Sequence, residues 1–132
     1  MDMKTDQQML ADVRAAGREM WGQVDGATPV VGVPGVYFVS TSGHGGYVVD
    51  LEDHPLPDAL TGWDVIVTIP GSGSRLAAFE EDCDYAALLY FDEVVRSAEE
   101  SSAHGEYKEQ YACERLRTLV GLHHPEMLTL GV

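Results

Sequence analysis

Residues 35–50, GVYFVSTSGHGGYVVD, contain two strand-like runs on either side of a glycine-rich break. β-Branched and aromatic side chains dominate residues 35–40 and 47–50, and such side chains favour extended backbone. The intervening residues 41–46 include three glycines, which is typical of a hairpin loop. This stretch therefore predicts a pair of neighbouring antiparallel strands at the centre of the fold.

On the N-terminal side, the sequence predicts a helix over about residues 5–20. Thr5 is a favourable N-cap, and Gln8 stands at the position that completes a capping box. The apolar side chains that fall on one helical face are Met9, Val13, Ala16 and Met20. Two glycines and a proline in residues 22–29 predict that the helix ends there and gives way to a loop.

On the C-terminal side, the sequence predicts a third strand and two further helices. Residues 51–62 contain two prolines and are expected to form a loop, and residues 64–69, DVIVTI, follow as a strand. Apolar residues at helical spacing predict helices over about residues 79–98 and 107–120. Gly121 is expected to end the last helix.

The predicted order of elements is α-β-β-β-α-α. We expect an α+β fold in which a small antiparallel sheet of about three strands is packed by three helices. The 132 residues fit a single domain spanning residues 1–132, which is long enough to bury one hydrophobic core.

The charge distribution is the most unusual property of the chain. The net charge is −14, from 22 acidic and 8 basic residues. Residues 19–95 carry 13 acidic residues and one basic residue, Arg75, so that −12 of the net charge falls in this central stretch. A negative field repels phosphate backbones, which argues against direct binding of nucleic acid. The same field favours solubility and can steer the chain toward a basic protein partner. The alternative interpretation is a solvated acidic surface that serves solubility and has no special partner.

The sequence has the properties expected of a cytoplasmic protein. No apolar run approaches the length of about 18–20 residues that a membrane span needs, and the first eight residues, MDMKTDQQ, are polar. Cys83 and Cys113 do not form a Cys-x-x-Cys pair and are expected to stay reduced. We therefore expect neither membrane association nor a disulfide-bonded, exported domain.

His44 lies between glycines in the predicted hairpin loop. Glycine can adopt a positive φ, so the backbone on both sides allows the His44 imidazole to be directed toward a ligand. Histidine also exchanges protons readily near neutral pH. The alternative interpretation is a structural turn in which the glycines satisfy the backbone and His44 packs locally. The loop lacks lysine and arginine and matches neither common glycine-rich phosphate-binding motif. His44 is therefore a candidate acid–base residue outside any phosphate-binding loop.

Acidic side chains crowd residues 80–84, EEDCD, at the predicted start of the second helix. Glu81 and Asp82 project away from the apolar stripe, which makes each a candidate acid–base partner for His44 or a candidate ligand for a divalent cation. Their alternative role is to place negative charge at the positive end of the helix dipole. Cys83 points along the apolar stripe and is expected to be an inert core thiol. The chain contains no established metal-binding motif, and we expect neither a metal nor a cofactor.

Two histidines and two tyrosines near the C-terminus complete the candidates. His123 and His124 are adjacent, and neighbouring side chains of an extended chain point in opposite directions, so both are expected to be tail residues rather than metal ligands. Tyr107 and Tyr111 stand one turn apart on the outer side of the predicted last helix. Tyrosines carry much of the binding energy at protein interfaces, which makes both residues candidate anchors for a partner.

Residues 35–46, GVYFVSTSGHGG, and residues 79–86, FEEDCDYA, together resemble an uncharacterised domain family found in phage and plasmid proteins. The shared features are a turn of serine and histidine-glycine-glycine and a later Glu-Glu-Asp-Cys patch, and the similarity covers about residues 33–95. The resemblance implies no established activity. It implies a genetic setting in which small acidic proteins disarm host defence systems by presenting carboxylates in place of phosphates, and it favours proximity of His44 to residues 80–84.

The sequence supports two main hypotheses. In the first, the chain is a non-enzymatic inhibitor or accessory factor from a mobile element, and it binds a basic, nucleic-acid-handling host protein such as a defence-system component. The expected contacts are Asp50, Glu52, Asp53, Asp58, Glu81, Asp82, Tyr107 and Tyr111. In the second, the chain is a small hydrolase or transferase in which His44 acts with Glu81 or Asp82. A structural or assembly subunit is the third hypothesis.

Overall fold

The computed structural model describes residues 5–42, 45–63, 65–81, 84–102 and 113–129. These residues form an α+β domain with one five-stranded antiparallel sheet. The strands are β1 (Gly26–Pro29), β2 (Val36–Ser40), β3 (Gly45–Asp50), β4 (Ile66–Thr68) and β5 (Arg75–Glu80), in the spatial order β1-β2-β3-β5-β4. The helices are α1 (Asp6–Trp21), α2 (Tyr85–Phe91), α3 (Glu93–Ser102) and α4 (Cys113–His123), with 3-10 helices at Asp58–Leu60 and Pro125–Thr129.

Helix α1 confirms the predicted N-terminal helix. The Thr5 hydroxyl accepts a hydrogen bond from the Gln8 backbone N–H at 3.1 Å, and the Gln8 side chain accepts one from the Thr5 N–H at 2.8 Å, which completes the capping box. At the other end, Gly22 has a φ of 80°, a left-handed conformation that glycine adopts without a steric penalty. Val13 and Ala16 are fully buried, as the helical spacing predicts.

Helices cover both faces of the sheet. α1 packs on one face, over a cluster that includes Val39, Val48 and Leu76. α2 packs on the other face, over a larger cluster that includes Val49 and Phe79 and to which α4 also contributes. All six residues of β3 are buried, because this strand lies in the middle of the sheet and both of its faces are covered.

The predicted hairpin is confirmed, and its connection is shorter than the predicted loop over residues 41–46. β2 pairs with β3 so that Ser40 lies opposite Gly45, which leaves residues 41–44 as the loop. Gly45 and Gly46 therefore belong to β3 rather than to the loop.

The predicted strand count of three is wrong, because two strands lie where the sequence predicts other structures. β1 occupies part of the predicted break and lies at an edge of the sheet, a position that tolerates Pro29. β5 includes Phe79 and Glu80, which the helical spacing assigns to the start of a helix. Ala77 and Ala78 favour helices intrinsically, but β5 is buried between β3 and β4, and tertiary burial overrides that propensity.

The predicted helix over residues 79–98 is wrong in its start and in its continuity. The chain forms α2 and α3 instead, separated at Asp92, whose backbone is extended with a ψ of 95°. The Asp92 carboxylate then accepts a hydrogen bond from the Val95 backbone N–H at 3.2 Å and thereby caps α3. The last helix continues through Gly121, so the predicted end at that glycine is also wrong.

Candidate functional site

The sheet brings the two sequence motifs to one end of the domain. The Glu81 backbone N–H donates a hydrogen bond to the Gly45 carbonyl at 2.9 Å, immediately beyond the last pairs of β3 and β5. His44 and Asp82, the sequence neighbours of these two residues, lie outside the described ranges. We name this end of the sheet the hairpin end and define it by residues 40–42, 45–46, 80–81 and 84.

Close backbone packing explains the paired glycines of the first motif. A Cβ atom on Gly46 would lie 2.1 Å from the Phe79 carbonyl oxygen, and one on Gly45 would lie 2.6 Å from the Val39 carbonyl oxygen. Both neighbours are backbone atoms of adjoining strands, so that neither can rotate out of the way. Strand pairing alone therefore requires glycine at both positions, whereas the structural interpretation assigns these glycines to the geometry of the turn.

An exposed polar network borders the hairpin loop. The Gln23 side-chain amide donates to Oδ1 of Asp25 at 2.8 Å and to Oγ of Ser42 at 3.2 Å. The Ser42 hydroxyl donates to Oδ2 of Asp25 at 3.4 Å. Sequence reasoning missed this network because its members come from two segments that meet only through the pairing of β1 with β2.

The described residues of the acidic motif lie between β5 and α2, outside any helix: Glu80 ends β5, and Glu81 and Asp84 are turn residues. The Asp84 backbone N–H donates to the Glu80 carbonyl at 2.8 Å, and α2 begins after Asp84. Oδ1 of Asp84 lies 2.8 Å from Nε2 of His124. Because an ionised carboxylate only accepts hydrogen bonds, Nε2 of His124 is the donor. The carboxylate thus ties the start of α2 to the end of α4.

His124 packs against the core and is half-buried, whereas the sequence indicates a tail residue. Its ring meets the Trp63 indole edge-on, with centroids 5.3 Å apart, and Trp63 stacks on Phe79 at 4.5 Å. The Trp63 Nε1–H donates to the Ala78 carbonyl at 3.0 Å. The neighbouring His123 is exposed at the end of α4, so these residues belong to a helix end and not to the extended tail that the sequence indicates.

We expect replacement of His124 by alanine to lower the free energy of unfolding by about 1–2 kcal/mol, because the Asp84 carboxylate loses its hydrogen-bond donor in a partly buried place. His123→Ala is the matched control, since this side chain is exposed, and it should change stability by less than about 0.5 kcal/mol. Urea denaturation of the two variants measures the difference. Equal stability of the His124→Ala and His123→Ala variants would show that the hydrogen bond between His124 and Asp84 does not contribute to the free energy of unfolding.

A second histidine–aspartate pair lies at the other end of α2. Nε2 of His54 is 2.6 Å from Oδ2 of Asp92, and 14% and 5% of the two side chains are exposed. The His54 backbone N–H also donates to the Asp50 carbonyl at 2.9 Å. This pair fastens the loop after β3 to the junction of α2 and α3. An aspartate followed by glutamate inside a predicted helix, at residues 92–93, is a cap-like signal that could have located this junction.

The acidic residues after β3 divide into buried and exposed. The prediction that Asp50 contacts a partner is wrong, because only 1% of this residue is exposed. Its Oδ1 accepts a hydrogen bond from the Glu52 backbone N–H at 3.0 Å, which gives the carboxylate a structural role in the turn. Glu52, Asp53 and Asp58 are exposed on residues 51–62, which we name the acidic loop.

The acidic loop and the hairpin end are separate surfaces. β3 spans Gly45–Asp50, and at about 3.3 Å per residue its two ends are about 17 Å apart. Glu81 is exposed beside the first end, and Asp53 follows the second end. Among the described residues, no lysine or arginine forms an ion pair with Asp53, Asp58 or Glu81.

Four predicted site residues, His44, Asp82, Tyr107 and Tyr111, lie outside the described ranges, as does Cys83, and their roles stay predictions. Within those ranges, no three histidine, cysteine, aspartate or glutamate side chains are grouped so that they could hold a metal ion. In the same part of the chain, no helix is both long enough and apolar enough to cross a membrane.

A family model described as Domain of unknown function (DUF7007) matches residues 14–121. The matched range extends beyond residues 33–95 on both sides, and it confirms the predicted resemblance to an uncharacterised domain family. Searches among curated proteins and among solved structures found no match. The family match carries no activity, substrate or partner, so these are argued from the residues of the chain itself.

Proposed function

The chain belongs to the DUF7007 family, and we propose that it is a small acidic inhibitor or accessory factor that binds a basic, nucleic-acid-handling host protein. We further propose that it comes from a mobile element and that the partner is a component of a host defence system. The observation that carries the proposal is the concentration of acidic residues in residues 19–95, where a single arginine accompanies 13 carboxylates.

The acidic loop is the surface best suited to this role. Asp53 and Asp58 are exposed and have no lysine or arginine partner among the described residues, which supports a contact of this loop with another molecule. The His54–Asp92 pair and the buried Leu60 hold the loop against α2. A preorganised loop loses little conformational entropy on binding, which supports a contact surface at this position.

Carboxylates can occupy a groove that otherwise holds phosphates. Lysine and arginine side chains of a nucleic-acid-binding surface make charge-assisted hydrogen bonds to phosphate oxygens, and carboxylate oxygens accept the same bonds. A single exposed ion pair contributes only about 0.2–1 kcal/mol, so affinity requires several pairs that are partly desolvated together. The partner should therefore present a cluster of basic side chains.

The test is capture of host proteins on the immobilised chain at low and at high salt. We expect recovery of a basic nucleic-acid-binding protein at about 50 mM salt and loss of most of it at about 500 mM, because salt screens exposed charges within a few ångströms at high concentration. Capture that does not change with salt, or capture of no basic protein, would contradict the proposal.

Charge reversal in the acidic loop locates the surface. We expect the double variant Asp53→Lys and Asp58→Lys to weaken binding of the recovered partner at least tenfold, a difference of about 1.4 kcal/mol. The matched control is Glu19→Lys with Glu114→Lys, which has the same net charge but changes exposed side chains on α1 and α4. Equal weakening by both double variants would mean that total charge, rather than the acidic loop, determines the affinity.

A second candidate function is a small hydrolase or transferase in which His44 acts with Glu81 or Asp82. The observation that favours it is the hydrogen bond between the Glu81 N–H and the Gly45 carbonyl, which makes the two motif segments neighbours. A histidine and a carboxylate within reach of each other are the usual pair for general acid–base catalysis.

We expect His44→Ala to abolish any hydrolysis of generic ester and phosphodiester substrates while the midpoint of thermal unfolding changes little. Glu81→Gln should reduce the same activity, whereas Glu19→Gln, which alters an exposed carboxylate on α1, should not. A wild-type chain that turns over none of these substrates, or a His44→Ala variant that unfolds, would remove the support for an enzyme.

A further inference from the structure

The outer edge of β4 has unpaired backbone groups. β4 is the last strand of the sheet and pairs with β5, with Val67 opposite Leu76. The Ala78 N–H donates to the Val65 carbonyl at 3.0 Å, so residues 65, 67 and 69 direct their backbone groups toward β5. The N–H and C=O groups of Ile66 and Thr68 consequently point away from the sheet, and none has a partner among the described residues.

The two edges of the sheet differ in how they are protected. β1, at the opposite edge, contains Pro29, which lacks an N–H and resists the addition of another strand. Residues 65–69, VIVTI, contain no proline, no glycine and no charged residue. Natural proteins usually protect an edge strand with proline, charged residues or a very short strand. β4 is short, with three residues, but it has neither proline nor charge, so its outward backbone groups are open to another strand.

The side chains of β4 continue both core faces. Ile66 packs against the cluster under α2, and Val67 packs against the cluster under α1. Both side chains are only partly buried, because β4 lies at the edge of the sheet and no strand in the described part of the chain pairs with its outer side. An added strand would cover apolar surface on the two faces while it completes the hydrogen bonds of the edge.

We propose that the partner inserts an extended segment, with a β-branched centre and basic flanks, as a sixth strand antiparallel or parallel to β4. The inference rests on the proposed function, since charge identifies the occupant. A second copy of this chain also carries a net charge of −14 and is repelled, whereas a basic segment is attracted. Arg75 lies on β5, one strand away from β4 and about 10 Å from the added strand. At that distance salt screens most of its repulsion of a basic segment.

The probe is a blocked heptapeptide with a Val-Thr-Val centre and two lysines on each side, titrated into isotope-labelled protein. We expect the largest amide chemical-shift changes at Ile66 and Thr68, and hydrogen exchange at these two amides slowed at least tenfold. Thr68→Pro removes an outward N–H and leaves the bonds to β5 in place, so it should weaken binding at least tenfold. Thr68→Ala keeps the N–H and should bind as the wild type does.

Each outcome has a distinct meaning. Equal binding by Thr68→Pro and wild type, or shifts confined to the acidic loop, would overturn the strand addition while the proposed function stands. Binding of the same peptide with glutamates in place of lysines would overturn the charge argument that both proposals share. Shifts at Ile66 and Thr68 that depend on protein concentration without peptide would identify a second copy as the occupant and overturn the choice of a basic partner.

Discussion

Replacement of Gly46 by alanine should destabilise the domain by about 3 kcal/mol or more, a large part of the roughly 5–15 kcal/mol typical of a domain. The new Cβ would lie 2.1 Å from the Phe79 carbonyl oxygen and 2.9 Å from Cα of Glu80. Because these are backbone atoms of the paired strand, relief of the clash requires β3 and β5 to separate. We expect loss of this pairing to loosen the hairpin end as well.

Gly62→Ala is the matched control for this prediction. No atom lies within 4 Å of a Cβ built on Gly62, so alanine fits there without displacement. This substitution should leave stability unchanged or raise it slightly, by up to about 1 kcal/mol, through a less flexible unfolded chain. Chemical denaturation of both variants gives the comparison, and a Gly46→Ala variant as stable as Gly62→Ala would contradict the packing of the two strands.

Replacement of Asp92 by alanine should lower the free energy of unfolding by about 2–4 kcal/mol. The carboxylate accepts hydrogen bonds from Nε2 of His54 at 2.6 Å and from the Val95 N–H at 3.2 Å. Loss of a helix cap costs about 1 kcal/mol, and a partly buried imidazole left without its acceptor costs about 1–3 kcal/mol more. The acidic loop should become more mobile in the variant, because the His54–Asp92 pair is one of the two contacts, with the buried Leu60, that hold it against α2.

Glu93→Ala controls for the removal of a neighbouring negative charge. Glu93 is exposed at the start of α3, and its loss should change stability by less than about 0.5 kcal/mol. Thermal and urea unfolding measure the stability, and protease cleavage within residues 51–62 measures the mobility of the loop. Similar stability and similar cleavage in the two variants would show that Asp92 is not the anchor of the loop.

The link between Asp92 and the acidic loop also connects stability with the proposed function. If the loop binds a basic partner as a preorganised surface, the Asp92→Ala variant should lose affinity without losing any contact residue. Charge reversal at Asp53 and Asp58 should lower affinity without lowering stability. The two classes of variant therefore separate the role of loop rigidity from the role of loop charge.

Local chemistry determined the parts of this fold that the sequence predicts well. The capping box of Thr5 and Gln8 and the helical spacing of Val13 and Ala16 define α1 within one short segment. The hairpin of β2 and β3 is likewise encoded by two β-branched runs and the glycines between them. The charge excess of residues 19–95 is a property of composition and needs no structure.

Only the tertiary structure decided which segments meet. Residues 75–80 form a strand because β3 and β4 offer hydrogen bonds on both sides, although the alanines within them favour a helix. His124 pairs with Asp84 across 40 residues, and His54 pairs with Asp92 across 38, so no local pattern contains either pair. Likewise, Asp50 has the sequence context of an exposed loop acid, yet the folded sheet buries it. Burial and long-range hydrogen bonds depend on the whole fold, whereas caps, turns and charge depend on neighbours in the chain.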